Sequence, residues 1–294
     1  MSDNSSLSRK LASAGDLQSV VRTMKALAAS SIGQYERSVL ALADYTRTVE
    51  LGLAACLARN ESAPGLEVRI GASKVRDRRA VVFGSDQGLV GKFNETIADY
   101  ALQALAGVVE PVRVWTVGER VQQRLCDSGL TPAGSFVVPA SVSAIGPLVG
   151  QILLECAREP KHGVGVELRL FYNRPCIGAS YESRSLCLLP LDAAWRRALL
   201  SQPWPSRSLP DVMGQEGTCL RALLREHLFI SLFRACAESL ASENASRLAA
   251  MERADKNIGE LLGTLEQQSQ RSRQNGIDEE LFDVVSGFEA LTGR

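Results

Sequence analysis

The sequence predicts an α/β protein in which a long antiparallel two-helix coiled coil, formed by N- and C-terminal helices, carries a central, mainly parallel α/β domain. Three observations lead there. From the start of the chain, the residues Leu7, Ala14, Val21, Ala28, Tyr35, Leu42, Val49 and Cys56 are apolar or small at a strict seven-residue spacing. Such a period keeps one stripe in place on a helix only if the helix winds left-handedly around a partner. Near the other end Leu223, Ile230, Ala237, Met251, Ile258 and Leu265 repeat the period, broken once by Asn244. Between the two seams, short apolar runs alternate with helical segments, the pattern of strand–helix units.

The first helix is expected from about Leu7 to Arg59, ended by the breakers Asn60, Pro64 and Gly65. It would be ~80 Å long. Gly15, Gly33 and Gly52 each weaken it by ~1 kcal/mol relative to alanine, so packing must hold it. Strands follow at Ala80 to Gly84, Val112 to Val117, near Ser135 to Val138, at Val166 to Tyr172 and at Ser185 to Leu189. Helices are expected from Asn94 to about Ala106, briefly after Gly118, and from Ser141 to about Arg158. Leu191 to Gly217, with Pro203, Pro205 and Pro210, reads as a linker. The second long helix then runs almost to the end, ~110 Å if unbroken. The division is therefore 1–60 and 218–294 for the long helices, 61–190 for the α/β domain and 191–217 for the linker.

Antiparallel pairing makes the numbers of facing residues add to about 275, which places Leu7 beside Gln268 and leaves an overhang of ~25 residues. Its first part, Glu266 to Gly276, is almost wholly polar. In its second part Ile277, Leu281, Val284, Val285, Phe288 and Leu291 share one apolar face at helical spacing. Such a face on an unpaired helix calls for a partner. Asn244, alone in its seam, is expected to set the register of the helix pair.

Composition bounds the function. The chain has 294 residues, 45% apolar and 22% charged, with 33 basic and 33 acidic side chains. That balance gives no field to attract nucleic acid. No run approaches the ~18 apolar residues of a spanning helix, so direct membrane insertion is not expected. The polar start, Met1 to Ser6, lacks the features of a secretory signal. Seven cysteines form no close pair along the chain and read as reduced thiols. His162 and His227 stand apart from any ligand cluster, so neither a metal site nor a histidine-based centre is expected. The turn Gly84–Ser85–Asp86–Gln87–Gly88–Leu89–Val90–Gly91 sits where phosphate loops sit, but Gly91–Lys92 is followed by Phe93 and the glycine spacing fits neither nucleotide fingerprint. No cofactor and no catalytic residue is expected. A pair of long helices bearing a domain suits a part that transmits position or force.

Several segments together resemble the gamma subunit of F-type ATP synthases. These are Met24–Lys25–Ala26–Leu27–Ala28–Ala29–Ser30, the Ser85 to Gly91 turn with Asn94, Tyr172–Asn173, and Leu188–Leu189–Pro190–Leu191. The densest likeness is Glu238 to Glu243 with Arg247, Met251, Ala254 and Asn257, followed by Ile277, Glu280, Leu281, Asp283 and Gly287. Gly15, Ser19 and Ser31 stand where the family usually has lysine, and Asp278 and Phe288 depart from its terminal signature, the marks of a divergent bacterial form. The resemblance implies a non-catalytic rotor that couples ion flow to ATP turnover. Its implied partners are the alpha and beta subunits of a catalytic hexamer, an epsilon-type subunit and a membrane c-ring, at the cytoplasmic face of the bacterial inner membrane. Arg22, Met24, Lys25 and Ser30, with Arg247, Gln274 and Asp278, are the implied contact residues, and the apolar tip is expected to turn in a sleeve at the top of the hexamer. Two rival readings are a stand-alone α/β nucleotide-binding protein and a homodimeric coiled-coil scaffold.

Overall fold

The structure is a computed structural model that describes residues 2–60, 75–107, 110–156, 165–176, 180–208, 210–211 and 216–292. Pro64, Gly65, Arg158 and His162 lie outside them. Eleven elements follow one another: α1 (Ser2–Asn60), β1 (Val75–Phe83), α2 (Phe93–Ala106), β2 (Val112–Val117), α3 (Glu119–Asp127), β3 (Gly134–Phe136), α4 (Val142–Cys156), β4 (Gly165–Cys176), β5 (Ser180–Leu189), α5 (Ala193–Leu200) and α6 (Glu216–Thr292). The five strands form one sheet in the order β3-β2-β1-β4-β5, parallel throughout except for the β4–β5 pair. The segment read as a linker contains α5, whose first turn is capped by the Asp192 carboxylate accepting from the Trp195 amide at 2.7 Å.

The chain divides into two compact units, Met1–Ala28 with Leu248–Arg294, and Ala29–Arg247. In the first unit the two long helices run antiparallel. Arg22 pairs with Asp255 at 3.4 Å and Lys25 with Glu252 at 3.8 Å, in both cases with numbers adding to 277. Ala14, Ala28, Met251 and Leu265, all from the heptad stripes, are its buried apolar residues. Beyond Leu265 no described side chain of α6 is buried. In the second unit the same helices again pair antiparallel: the Cys56 and Cys219 sulfurs lie 3.8 Å apart, with numbers adding to 275. A Cβ on Gly52 would sit 3.2 Å from Leu223 Cδ1, so glycine leaves room for the Leu223 side chain. These values match the register expected from the heptads. The period explains why: at 3.5 residues per turn every stripe residue returns to the partner, and all eight stripe positions of α1 are buried or half-buried.

Asn244 does not act as expected. Its side-chain amide donates back to the Leu240 carbonyl of its own helix at 2.8 Å, and its oxygen accepts from Arg247 at 3.4 Å. The bonds it makes are within one turn and carry no register information between helices.

The second unit is a three-layer sandwich. β1 alternates its side chains between two cores. Val81 and Phe83 face Ile145, Val149 and Ile152 of α4, with Leu232, Ala235 and Cys236 of α6 and Tyr35 of α1 in the same cluster. Ala80 and Val82 face Ile97, Ala98 and Ala101 of α2 and Val121 and Leu125 of α3. Burial on both faces is why the second half of β1, Ala80 to Phe83, reads as a continuous apolar run. A third cluster joins Val49, Leu53, Cys56 and Leu57 of α1 to Leu199 of α5 and Leu220 and Ile230 of α6.

Candidate partner-contact surface

The turn after β1 is a structural joint. The Asp86 carboxylate accepts from the Glu119 amide at 3.0 Å and from the Val138 amide at 2.8 Å, tying the start of α3 to the chain beyond β3. The Ser85 amide donates to Asn94 Oδ1 at 2.9 Å, and Asn94 Nδ2 donates to Ser85 Oγ at 2.8 Å. Gly118 sits at φ 112°, and a Cβ there would meet the Ser85 backbone at 2.8 Å. Close contact of two backbones is what Gly118 provides.

The same turn meets α6. Ser246 Oγ donates to the Val90 carbonyl. Ser242 Oγ donates to the Asn173 carbonyl of β4 at 3.0 Å, while Asn173 Nδ2 reaches the Phe93 carbonyl at 3.2 Å and Ser183 Oγ donates to Asn173 Oδ1 at 2.7 Å. Glu238 receives Arg234 at 2.8 Å and lies 3.8 Å from Arg174. Glu243 receives Arg247 at 2.6 Å. Burial raises the Glu243 carboxyl above its ordinary range, with Arg247 pulling the other way. Burial, helped by Glu243, likewise raises the nearby Tyr35 hydroxyl. The turn after β1 with Asn94, Asn173 of β4 and the Glu238 to Arg247 stretch of α6 thus meet in one polar joint that fixes α6 to the C-terminal ends of β1 and β4. A buried, bonded joint resists shear better than apolar contact alone, because each displaced group is left unpaired.

The expected contact residues fall into three kinds. Arg22, with its side chain 64% exposed, and Lys25 bridge to α6 of their own unit, and Met24 between them is half-buried. Ser30, Gln274 and Asp278 are exposed. Arg247 is only 12% exposed and is held by Glu243, so it belongs to the joint rather than to an open face. At the tip Ile277, Leu281, Val284, Val285 and Phe288 are exposed, between 47% and 72%. Leu291 is helical, but its side chain lies outside those described. Phe282, 71% exposed, was missed because it sits one position off the stripe.

Among the described residues no group of three or more His, Cys, Asp or Glu could hold a metal ion, and no helix is long and apolar enough to cross a membrane. His227, its ring 5.2 Å from that of Trp195, is pushed toward the neutral form by burial.

Comparison with known proteins agrees with this architecture. A family model described as ATP synthase matches residues 4–291. The ATP synthase gamma chain of Acidiphilium cryptum is 30% identical over 306 residues, covering 99% of this chain and 100% of its own. That of Granulibacter bethesdensis is 29% identical, covering 99% and 100%. The rotor of Euglena gracilis mitochondrial ATP synthase shares the fold at a TM-score of 0.65 and 16% identity, over 94% of this chain and 99% of that one. The central stalk of the Tetrahymena thermophila enzyme does so at 0.57 and 20%, over 80% and 99%. On its motifs, its fold and a match along nearly its whole length, this chain belongs to the family of ATP synthase gamma chains.

Proposed function

We infer that this chain is the non-catalytic central rotor of an F-type ATP synthase, coupling ion flow through a membrane c-ring to ATP synthesis or hydrolysis on an alpha–beta hexamer. Family membership supports the assignment, and one structural observation carries the mechanism: α6 bears an exposed apolar face, Ile277 to Phe288, and beyond Leu265 none of its described side chains is buried. A face that packs without directional bonds can slide in a sleeve, whereas hydrogen bonds would hold it at fixed angles.

In this reading 1–60 and 218–294 form the shaft, 61–190 the domain it bears and 191–217 the link between them. Torque passes from the domain to α6 through the Asn173–Ser242 and Glu243–Arg247 joint. Arg22, Met24, Lys25, Ser30, Gln274 and Asp278 face the moving ends of the hexamer subunits, with Arg247 holding α6 from beneath. Ile277, Leu281, Val284, Val285, Phe288 and Leu291 turn in the sleeve. An epsilon-type subunit and the c-ring complete the rotor, and the chain works at the cytoplasmic face of a bacterial inner membrane, bound through its partners.

Co-expression with the alpha and beta subunits of the same organism tests the reading. One copy of the chain is expected in each hexamer, and the chain purified alone is expected to hydrolyse no ATP. Hydrolysis that stays with the isolated chain through successive columns would overturn the non-catalytic assignment.

A further inference from the structure

Cys56 and Cys219 are 163 positions apart in sequence, yet their sulfurs face each other at 3.8 Å across the pair formed by α1 and α6. Neither sulfur is in a disulfide. Cys56 is 4% exposed and Cys219 half-buried, within a cluster made by Val49, Leu53, Leu57 and Leu220 that α5 closes through Leu199. One turn earlier on α1, a Cβ on Gly52 would sit only 3.2 Å from the Leu223 side chain of α6. A disulfide has sulfurs about 2.05 Å apart, so the bond requires the two side chains to approach by nearly 2 Å. Rotation about the two χ1 angles is the motion that brings the sulfurs together. Cys126, Cys176 and Cys187, in contrast, are exposed.

We propose that Cys56 and Cys219 form a redox-active dithiol that accepts oxidising equivalents from low-molecular-weight disulfides and closes a covalent tie between α1 and α6. The reaction is two successive exchanges. The more accessible Cys219 loses its proton to water and attacks one sulfur of the reagent. A mixed disulfide forms and one reagent thiolate leaves. Cys56 then deprotonates and attacks Cys219 Sγ, forming the protein disulfide and releasing the second thiolate. Two protein thiols are oxidised, one reagent disulfide becomes two thiols, and the two protons given up end on those thiolates. The tie closes a loop of more than 160 residues, the regime in which a cross-link most restricts the unfolded chain. It joins the last two turns of α1 to the first turn of α6. The inference does not rest on the rotor assignment.

The test incubates the purified full-length chain with oxidised and reduced glutathione over a range of ratios, quenches with an alkylating agent and maps peptides by mass. A linked pair of peptides bearing Cys56 and Cys219 is expected, together with a rise in melting temperature of about 10 °C that dithiothreitol reverses. Cys219→Ser should leave Cys56 alkylatable at every ratio, and Cys56→Ser should stop Cys219 at the glutathione adduct. If the wild-type chain at full oxidation carries glutathione on Cys219 while Cys56 stays reduced, the dithiol assignment is overturned. A linked pair that leaves the melting temperature unchanged would overturn the tie. The peptide map is read on the wild-type chain, so a variant that fails to fold does not obscure the answer.

Discussion

The Ser242 hydroxyl of α6 is shared between the backbone carbonyls of Asn173 in β4, at 3.0 Å, and of Glu238 in its own helix, at 2.9 Å, with Ser242 and Asn173 buried to within 1% of completely. One turn away Ser239, 2% exposed, has a hydroxyl that finds no hydrogen-bond partner among the described residues. The two serines should therefore respond oppositely to the same change. Ser242→Ala is expected to lower unfolding free energy by about 1 kcal/mol, and Ser239→Ala to raise it by a similar amount. Urea denaturation of the two variants checks this, and equal losses would remove the distinction.

Backbone demands make a second contrast. Gly33 lies inside α1 with open space around a would-be Cβ, so Gly33→Ala should stabilise by about 1 kcal/mol. Gly118, at φ 112° against the Ser85 backbone, cannot accept a side chain without shifting β1's turn. Gly118→Ala should lose about 3 kcal/mol or more and show it as a lowered melting temperature.

Asn244 tests the helix seam. With its amide satisfied inside its own helix, Asn244→Leu should add apolar contact and raise stability by about 1 kcal/mol. The register should not change, since heptad packing along the whole stripe sets it. Cross-linking of a Lys25→Cys, Glu252→Cys pair, at equal yield with and without Asn244→Leu, would show an unchanged register.

The pH dependence follows from Asp77. Its carboxylate receives Arg79 and, at 2.8 Å, Arg113, and the Arg79 bond above all holds it below the ordinary value of 3.8. The folded state therefore binds this proton more weakly than the unfolded chain does. The stabilisation is present above about pH 3.8 and disappears as the pH falls through the lower folded value. Asp77→Asn should reduce the melting temperature near neutral pH and flatten its acid fall, whereas an unchanged acid slope would assign that limb to other carboxylates.

Much of this was legible in the sequence, for reasons particular residues make plain. The heptad stripe from Leu7 to Cys56 read correctly because one period governs both helices, and the apolar run Ala80 to Phe83 did so because β1 is covered on both sides. Periodicity places a residue on a face but does not aim its side chain, and so Asn244 was misread. The Asp86 staple depends on amides 33 and 52 positions away, and the Cys56–Cys219 contact joins opposite ends of the chain. Such separations leave no trace in spacing. The helix α5 was hidden because its eight residues are too few to show a period against the flanking prolines.

The tip separates folding from assembly. Deleting Ile277 to Arg294 removes a segment whose described side chains are all exposed, so circular dichroism and melting temperature should hold within about 2 °C. Retention in the purified alpha–beta hexamer should fall severalfold. A global loss of fold would mean that the tip is packed on its own chain.

The central claim is that this chain turns inside a catalytic hexamer. It is tested most directly by fixing the hexamer to a surface, attaching a fluorescent bead to a single cysteine at position 126 on exposed α3, and adding ATP. Continuous rotation in one direction, stopping when ATP is removed, is the predicted result. A hexamer that hydrolyses ATP at full rate while the bead on this chain stays still would contradict the account.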